Sequence, residues 1–109
     1  MKVPNCENAI VPLDKISGYL LNHDHSDGGS KARFFSQLGF DQESLSSMLK
    51  IHISEHDFLE ITTTKYGVKY AIQGFADSPL GVRFNLKSIW IIPKNEIIPI
   101  LVTAYPSKK

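Results

Sequence analysis

The spacing of apolar residues divides the chain into a helical half and a strand half. In residues 1–53 the apolar positions recur every three or four residues, and the clearest run contains Leu45, Met48 and Leu49. From residue 58 onward the period changes to two and β-branched residues accumulate. The pattern therefore predicts one domain spanning residues 1–109, with helices in residues 1–53 and strands in residues 58–105.

Helix start and stop signals place three helices in the first half. The first helix is expected after Pro12, and the second is expected between a capping Ser30 and a terminating Gly39. The third begins after Asp41, and its apolar stripe continues to His52. The intervening residues 23–29 combine glycines with short polar residues and are predicted to form a loop.

The second half contains four alternating segments that are separated by turn residues. They predict strands at residues 58–64, 68–75, 82–92 and 97–105. Because short hairpins join neighbouring strands, the sheet should be an antiparallel meander. The expected fold is α+β, with three N-terminal helices packed on one face of a four-stranded antiparallel meander sheet.

The alternation also separates a core face from a solvent face. The residues predicted to face the helices from the third strand are Val82, Phe84, Leu86 and Trp90. The opposite face then presents basic and amide side chains, namely Lys69, Gln73, Arg83, Asn85 and Lys87. Such a face suits a phosphodiester backbone, while ordinary solvation of exposed strand positions is the alternative explanation.

The net charge of the chain does not favour a polyanionic partner, but the distribution of charge along the chain does. The net charge is +1, but residues 1–60 carry five basic and nine acidic residues, whereas residues 61–109 carry seven basic and two acidic ones.

The single cysteine, Cys6, excludes a disulfide or a cysteine-based zinc site within one chain. The longest apolar run, residues 89–92, is too short to cross a bilayer, and the N-terminal residues contain no secretory signal, so a cytoplasmic protein without a membrane role is expected.

The predicted loop contains two closely spaced histidines. His23 and His25 flank Asp24, and Asp27 follows. These groups could bind a metal ion, but their spacing matches no strong zinc motif, and neither a metal nor a cofactor is predicted. An alternative is therefore a metal-dependent nuclease or hydrolase that uses this loop.

His25 is better suited to proton transfer. An imidazole titrates near neutral pH, and Lys31 and Arg33 open the helix that follows the loop. The other two histidines have structural explanations, since His52 lies on the apolar stripe of the third helix and His56 lies in a turn.

Several motifs resemble those of a small bacterial family of unknown function. The run H-S-D-G-G-S-K-A-R-F-F from His25 to Phe35 matches its pattern H-x-x-G-x-x-K-A-R-x-F, and the opening V-P-N-C-E-N-A-I-V-P-L-D-K is similar as well. Y-G-V-K-Y at residues 66–70, S-I-W-I-I at 88–92 and L-V-T-A-Y-P at 101–106 follow in the same order. Members of that family occur beside presumed antitoxin genes or as C-terminal modules of polymorphic toxins, so the resemblance implies a toxin.

The layout is also similar to that of the barnase, EndoU, colicin and RelE ribonuclease superfold, whose members cut RNA without a metal. The resemblance thus implies a metal-independent ribonuclease. Such a reaction needs a base for the 2′-hydroxyl, an acid for the leaving oxygen and cations beside the phosphate. The catalytic candidates are His25, Lys31, Arg83, Thr103 and Tyr105.

Further residues are candidates for binding the RNA. Arg33, Lys69 and Lys87 would contact the phosphates, and Tyr70 and Trp90 are possible stacking platforms for bases. Core packing is the competing explanation for both aromatic residues, because each alternates with apolar neighbours.

A non-catalytic binding module, such as an antitoxin, immunity or adaptor protein, remains the main alternative. In that case His25 and Lys31 would only hold the loop against the second helix. If the chain is a toxin, its partner is expected to be a cognate acidic antitoxin that covers the basic sheet face.

Overall fold

The helical half contains one long helix and two shorter helical elements. A computed structural model describes residues 1–22 and 29–107. After a short 3-10 turn at Cys6–Asn8, a single helical turn, α1 (Leu13–Lys15), continues as a π-helical turn (Ile16–Leu20). The helices α2 (Gly29–Gln37) and α3 (Gln42–Glu55) follow.

The expectation of three N-terminal helices is thus only partly met. The first segment is short and contains Ser17 and Gly18, which are poor helix formers, so little in its sequence favours a regular α-helix. Only α3 is long, and it begins after Asp41, as the sequence predicts. Asp41 accepts a hydrogen bond from the Ser44 amide at 2.8 Å, and the Ser44 hydroxyl accepts one from the Asp41 amide at 2.9 Å. This reciprocal cap satisfies backbone donors that the first turn leaves unpaired.

The four strands form an antiparallel meander in the order β1-β2-β3-β4. They are β1 (Phe58–Thr64), β2 (Gly67–Asp77), β3 (Arg83–Pro93) and β4 (Ile100–Pro106). The last strand begins three residues later than predicted, because Pro99 has no amide hydrogen to contribute to a ladder. The Pro99 carbonyl instead accepts from the Ile10 amide, and Ile10 forms a parallel bridge with Ile100.

The core lies between the helices and one face of the sheet. Its fully buried members come from both layers and include Leu20, Phe35, Leu45, Leu49, Ile53, Ile72, Leu86, Trp90 and Leu101. Val82 was predicted to join them but is 46% exposed. It precedes β3 and belongs to the hairpin turn, where its amide donates to the Ser78 hydroxyl and its carbonyl accepts from the Ser78 amide.

One segment of β2 extends beyond its neighbour β1. The β1–β2 ladder ends at the pair Phe58–Ile72, so residues 73–77 of β2 have no strand on that side. The end of α3 covers this edge: Nε2 of His52 lies 3.2 Å from the Gly74 carbonyl, and Nε2 of His56 lies 3.0 Å from the Phe75 carbonyl. A Cβ at residue 74 would lie 2.5 Å from Nδ1 of His56, so a larger residue here would displace the His56 ring.

Among the described residues, no helix combines the length and the apolar character needed to cross a membrane.

Candidate functional site

The face of the sheet opposite the helices collects most of the predicted strand residues. Cross-strand pairing joins Gln73 to Lys87 and Lys87 to Tyr105, which places these three side chains in one row across β2, β3 and β4. Lys69 is four residues before Gln73 on β2, and Thr103 is two residues before Tyr105 on β4, so both lie on the same face as this row. The alternation of the strands therefore brings these candidates onto one surface, which we call the open face.

A shallow depression of about 280 Å³ lies at the centre of the open face. Its position follows from Ala71, whose small side chain separates the larger residues of β1 and β3. Lys69, Lys87 and Glu60 line it, together with Thr62. Lys87 reaches across β2 to place its Nζ 3.3 Å from Oε1 of Glu60. The depression thus has cations, a carboxylate and a hydroxyl group around one cavity.

This arrangement can bind an anionic group and exchange a proton with it. Lys69 is exposed and has no acidic partner within the described part of the chain, so its ammonium is available to an anion. Lys87 is 23% exposed and is held in place by Glu60, which also supplies a carboxylate as a potential base. Phosphate is the common biological anion that such lysines bind.

Sequence reasoning missed Glu60 and Thr62. The signal was present in the β1–β2 hairpin, whose short turn fixes Thr62 opposite Lys69 and Glu60 opposite Ala71. The alternation assigned faces to residues of β2 and β3 but not of β1, so the acidic residue on the same face was not predicted.

Arg83 lies on the open face but not in the depression. It is four residues from Lys87 along β3, or about 13 Å at the rise of an extended strand. Its Nε and Nη2 donate to Asp77 at 3.0 and 3.3 Å, and this pair lowers the pKa of Asp77 and raises that of Arg83. The structure therefore separates Arg83 from the lysines of the depression. Thr103 and Tyr105 lie on the open face next to β3, on β4, and do not line the depression either.

Lys31 and Arg33 belong to a different layer. Both lie on α2, whose Phe34 ring packs edge-on against Phe84 of β3 at 5.5 Å between ring centres. Because Phe84 points to the core side of the sheet, α2 is in the helical layer and not on the open face. The predicted catalytic His25 lies outside the described residues, as do His23, Asp24 and Asp27.

The two proposed stacking residues are buried, which corrects their predicted role. Tyr70 is 8% exposed, and its ring packs against Phe58 at 5.1 Å. Trp90 is fully buried and donates its indole N–H to the Ser88 hydroxyl at 2.9 Å. Core packing, the competing explanation, therefore holds for both residues.

A second concavity lies beside the open face, between α3 and the overhanging end of β2. This groove has a volume of about 670 Å³. Its walls are apolar, with Phe40, Met48 and Ile51 on one side and Phe75 on the other. Its polar lining residues are Ser44, Ser47, His52, Glu55, His56, Asp77, Ser78 and Arg83. Phe75, which the alternation of β2 places on the open face, also lines this groove.

Comparison with known proteins gives a fold relative and a family. A chain in the contact-dependent growth inhibition toxin–immunity protein complex from Klebsiella pneumoniae 342 has the same fold, with a TM-score of 0.75 and 17% sequence identity. The match covers 96% of this chain and 98% of that chain. No curated protein matches the sequence. A family model described as a domain of unknown function, DUF6883, matches residues 2–108, and the chain therefore belongs to this family.

Proposed function

We propose that the protein is a bacterial toxin that cleaves RNA without a metal ion, with the depression on the open face as its reaction site. The observation that carries the proposal is the grouping of Lys69, Lys87 and Glu60 around one cavity. The fold likeness to a member of a toxin–immunity complex supports the toxin part of the proposal. The resemblance of the layout to metal-independent ribonucleases supports the reaction.

In this mechanism the two lysines bind the scissile phosphate and offset the charge that develops on it. Glu60, next to Lys87, accepts the proton of the attacking 2′-hydroxyl. Oxygen O2′ then bonds to phosphorus as the bond to the 5′-oxygen breaks, leaving a cyclic phosphate. Tyr105, paired with Lys87 across the ladder, and Thr103 next to it are proposed to position the phosphate or donate to its oxygens.

His25, the sequence-predicted candidate for proton transfer, is the proposed general acid. The leaving 5′-oxygen needs a proton, and an imidazole with an ordinary pKa can donate one near neutral pH. His25 lies outside the described residues, so its role is tested by substitution alone. Lys31 and Arg33 lie on α2 in the helical layer, opposite the open face, so the proposal gives them no part in the reaction at the depression.

The test compares the wild-type protein with Lys87→Ala, Lys69→Ala and Glu60→Gln on total RNA and on tRNA, with and without a chelator. The wild type should give discrete fragments that end in cyclic phosphates, and each substitution should slow cleavage by at least about 10-fold. Lys50→Ala is the matched control, because Lys50 is an exposed lysine on α3 away from the depression. Absence of cleavage at high protein concentration would contradict the ribonuclease proposal, and activity lost in chelator would favour a metal-dependent reaction.

An immunity protein is the second candidate, because the matched complex contains both a toxin and an immunity protein. The two roles have opposite effects on bacterial growth. Expression of a toxin should arrest growth, and Lys87→Ala should relieve the arrest. An immunity protein should leave growth unchanged and should protect cells against a toxin encoded beside it.

A further inference from the structure

Phe75 is an exposed aromatic residue on the face proposed to bind RNA. Of the aromatic side chains that the structure describes, only Phe75 and Tyr66 are exposed, with 59% and 70% of their surface accessible. Tyr66 lies in the β1–β2 turn, whereas Phe75 is paired with Asn85 within the sheet. Because Phe75 lies within a strand and its ring is exposed, a ligand on the sheet can reach it.

The position of Phe75 relative to Lys87 suits an oligonucleotide. Phe75 follows Gln73 on the same face of β2, and Gln73 is the partner of Lys87, so Phe75 and Lys87 are diagonal neighbours. Diagonal neighbours in an antiparallel ladder are about 7–8 Å apart at the backbone, but the Lys87 ammonium extends to Glu60, which pairs with Ala71, four residues or about 13 Å from Phe75 along β2. A phosphate held by Lys87 would therefore place a base about two nucleotides away over the Phe75 ring.

Two polar residues adjoin this ring. Asn85, directly opposite, is half-buried and its amide group makes no hydrogen bond within the described residues, so it can donate to and accept from the edge of a base. Arg83 is two residues before Asn85 on β3. Its Nε and Nη2 donate to Asp77, and its Nη1 takes no part in this ion pair. The fixed guanidinium can contact the next phosphate along the strand.

We propose that Phe75 is the stacking platform for one base of a single-stranded RNA, with Asn85 contacting the edge of that base, an inference that rests on the proposed ribonuclease function. Stacking on an aromatic ring requires an unpaired base, so the substrate class is single-stranded RNA or a loop. The apolar groove beside Phe75 gives the base room to lie against the ring without entering the core.

Binding is measured with a fluorescein-labelled 2′-O-methyl oligonucleotide, which lacks the attacking hydroxyl and is not cleaved. Phe75→Leu should weaken binding about 5- to 100-fold, because leucine retains apolar surface but has no ring on which a base can stack. Phe75→Trp should bind within about 2-fold of the wild type. Tyr66→Leu is the matched control and should bind like the wild type, since it removes an equally exposed ring outside the open face.

Asn85→Ala should change the base at which a defined single-stranded RNA is cleaved while leaving the thermal stability unchanged. If Phe75→Leu binds the oligonucleotide normally while Lys87→Ala does not, the stacking platform is wrong and the ribonuclease proposal stands. If the wild type itself neither binds the oligonucleotide nor cleaves RNA, both proposals fail. If Phe75→Leu weakens the binding of a partner protein but leaves RNA binding intact, the ring belongs to a protein interface instead.

Discussion

Nδ1 of His52 on α3 lies 2.8 Å from the hydroxyl oxygen of Ser88 on β3, and both residues are buried. The Gly74 carbonyl can only accept, so Nε2 of His52 carries the ring proton and Nδ1 accepts from the Ser88 hydroxyl. The same hydroxyl oxygen accepts from the indole of Trp90. A chain of three hydrogen bonds thus joins helix and sheet inside the core, and each polar group in it has a partner.

This network predicts a loss of stability in mild acid. Burial, reinforced by the neighbouring His56, lowers the pKa of His52 from 6.5 to about 4. The unfolded chain therefore binds a proton at residue 52 before the folded protein does, and folding becomes less favourable as the pH falls from about 6.5 to about 4. The expected loss over that interval is about 3 kcal/mol. Urea denaturation at several pH values would measure it.

The control for this pH dependence is His56→Gln, which keeps His52 and should retain most of the slope. His52→Gln should flatten the slope while lowering stability at neutral pH. An unchanged slope in His52→Gln would assign the acid sensitivity to another group.

Ser88→Ala should destabilise the protein even though it removes only one oxygen atom. It leaves the Trp90 indole N–H and Nδ1 of His52 buried without partners. The expected cost is about 1–3 kcal/mol in the free energy of unfolding. Chemical denaturation checks this value, with the exposed Ser47→Ala on α3 as the control. Equal stabilities of the two variants would contradict a structural role for the network.

Gly74→Ala tests the contact between the overhanging end of β2 and α3. The new methyl group would overlap the His56 ring, which lies 2.5 Å from its position, so we expect a cost of about 1–3 kcal/mol. The double variant Gly74→Ala, His56→Ala removes the ring and should recover part of that loss. Thermal denaturation of the single and double variants measures the coupling, and strictly additive effects would argue against the contact.

The salt dependence of RNA binding tests the two lysines of the depression separately from catalysis. Each phosphate contact releases counterions, so Lys69→Ala and Lys87→Ala should each make the slope of log affinity against log salt less steep by about 0.7 for a single-stranded oligonucleotide. Lys87→Ala also frees Glu60, whose unpaired carboxylate should weaken binding further. Titrations of the oligonucleotide at several salt concentrations check both effects, and a slope unchanged in both variants would place the RNA elsewhere.

Local sequence patterns predicted the four strands, the start of α3 and the two faces of the sheet. The cap at Asp41, the limits of β1 and the placement of Lys69 and Lys87 opposite the core follow from spacing within a few residues. His52 was also expected to be a satisfied residue on an apolar stripe, and its burial confirms this. These features depend on neighbours in the chain, which a period of two or 3.6 residues already encodes.

The partners of those residues depend on how distant segments pack together. His52 and Ser88 are 36 residues apart, and Lys87 and Glu60 are 27 apart, so neither pairing follows from local spacing. The overhang of β2 beyond β1 leaves the carbonyls of Gly74 and Phe75 to the histidines of α3, and the position of Arg83 along β3 keeps it about 13 Å from Lys87. Periodicity predicts the buried or exposed side of most strand and helix residues, with Val82 as an exception. Their contacts were determined by the register of the ladders and the docking of α3, because these bring distant segments together.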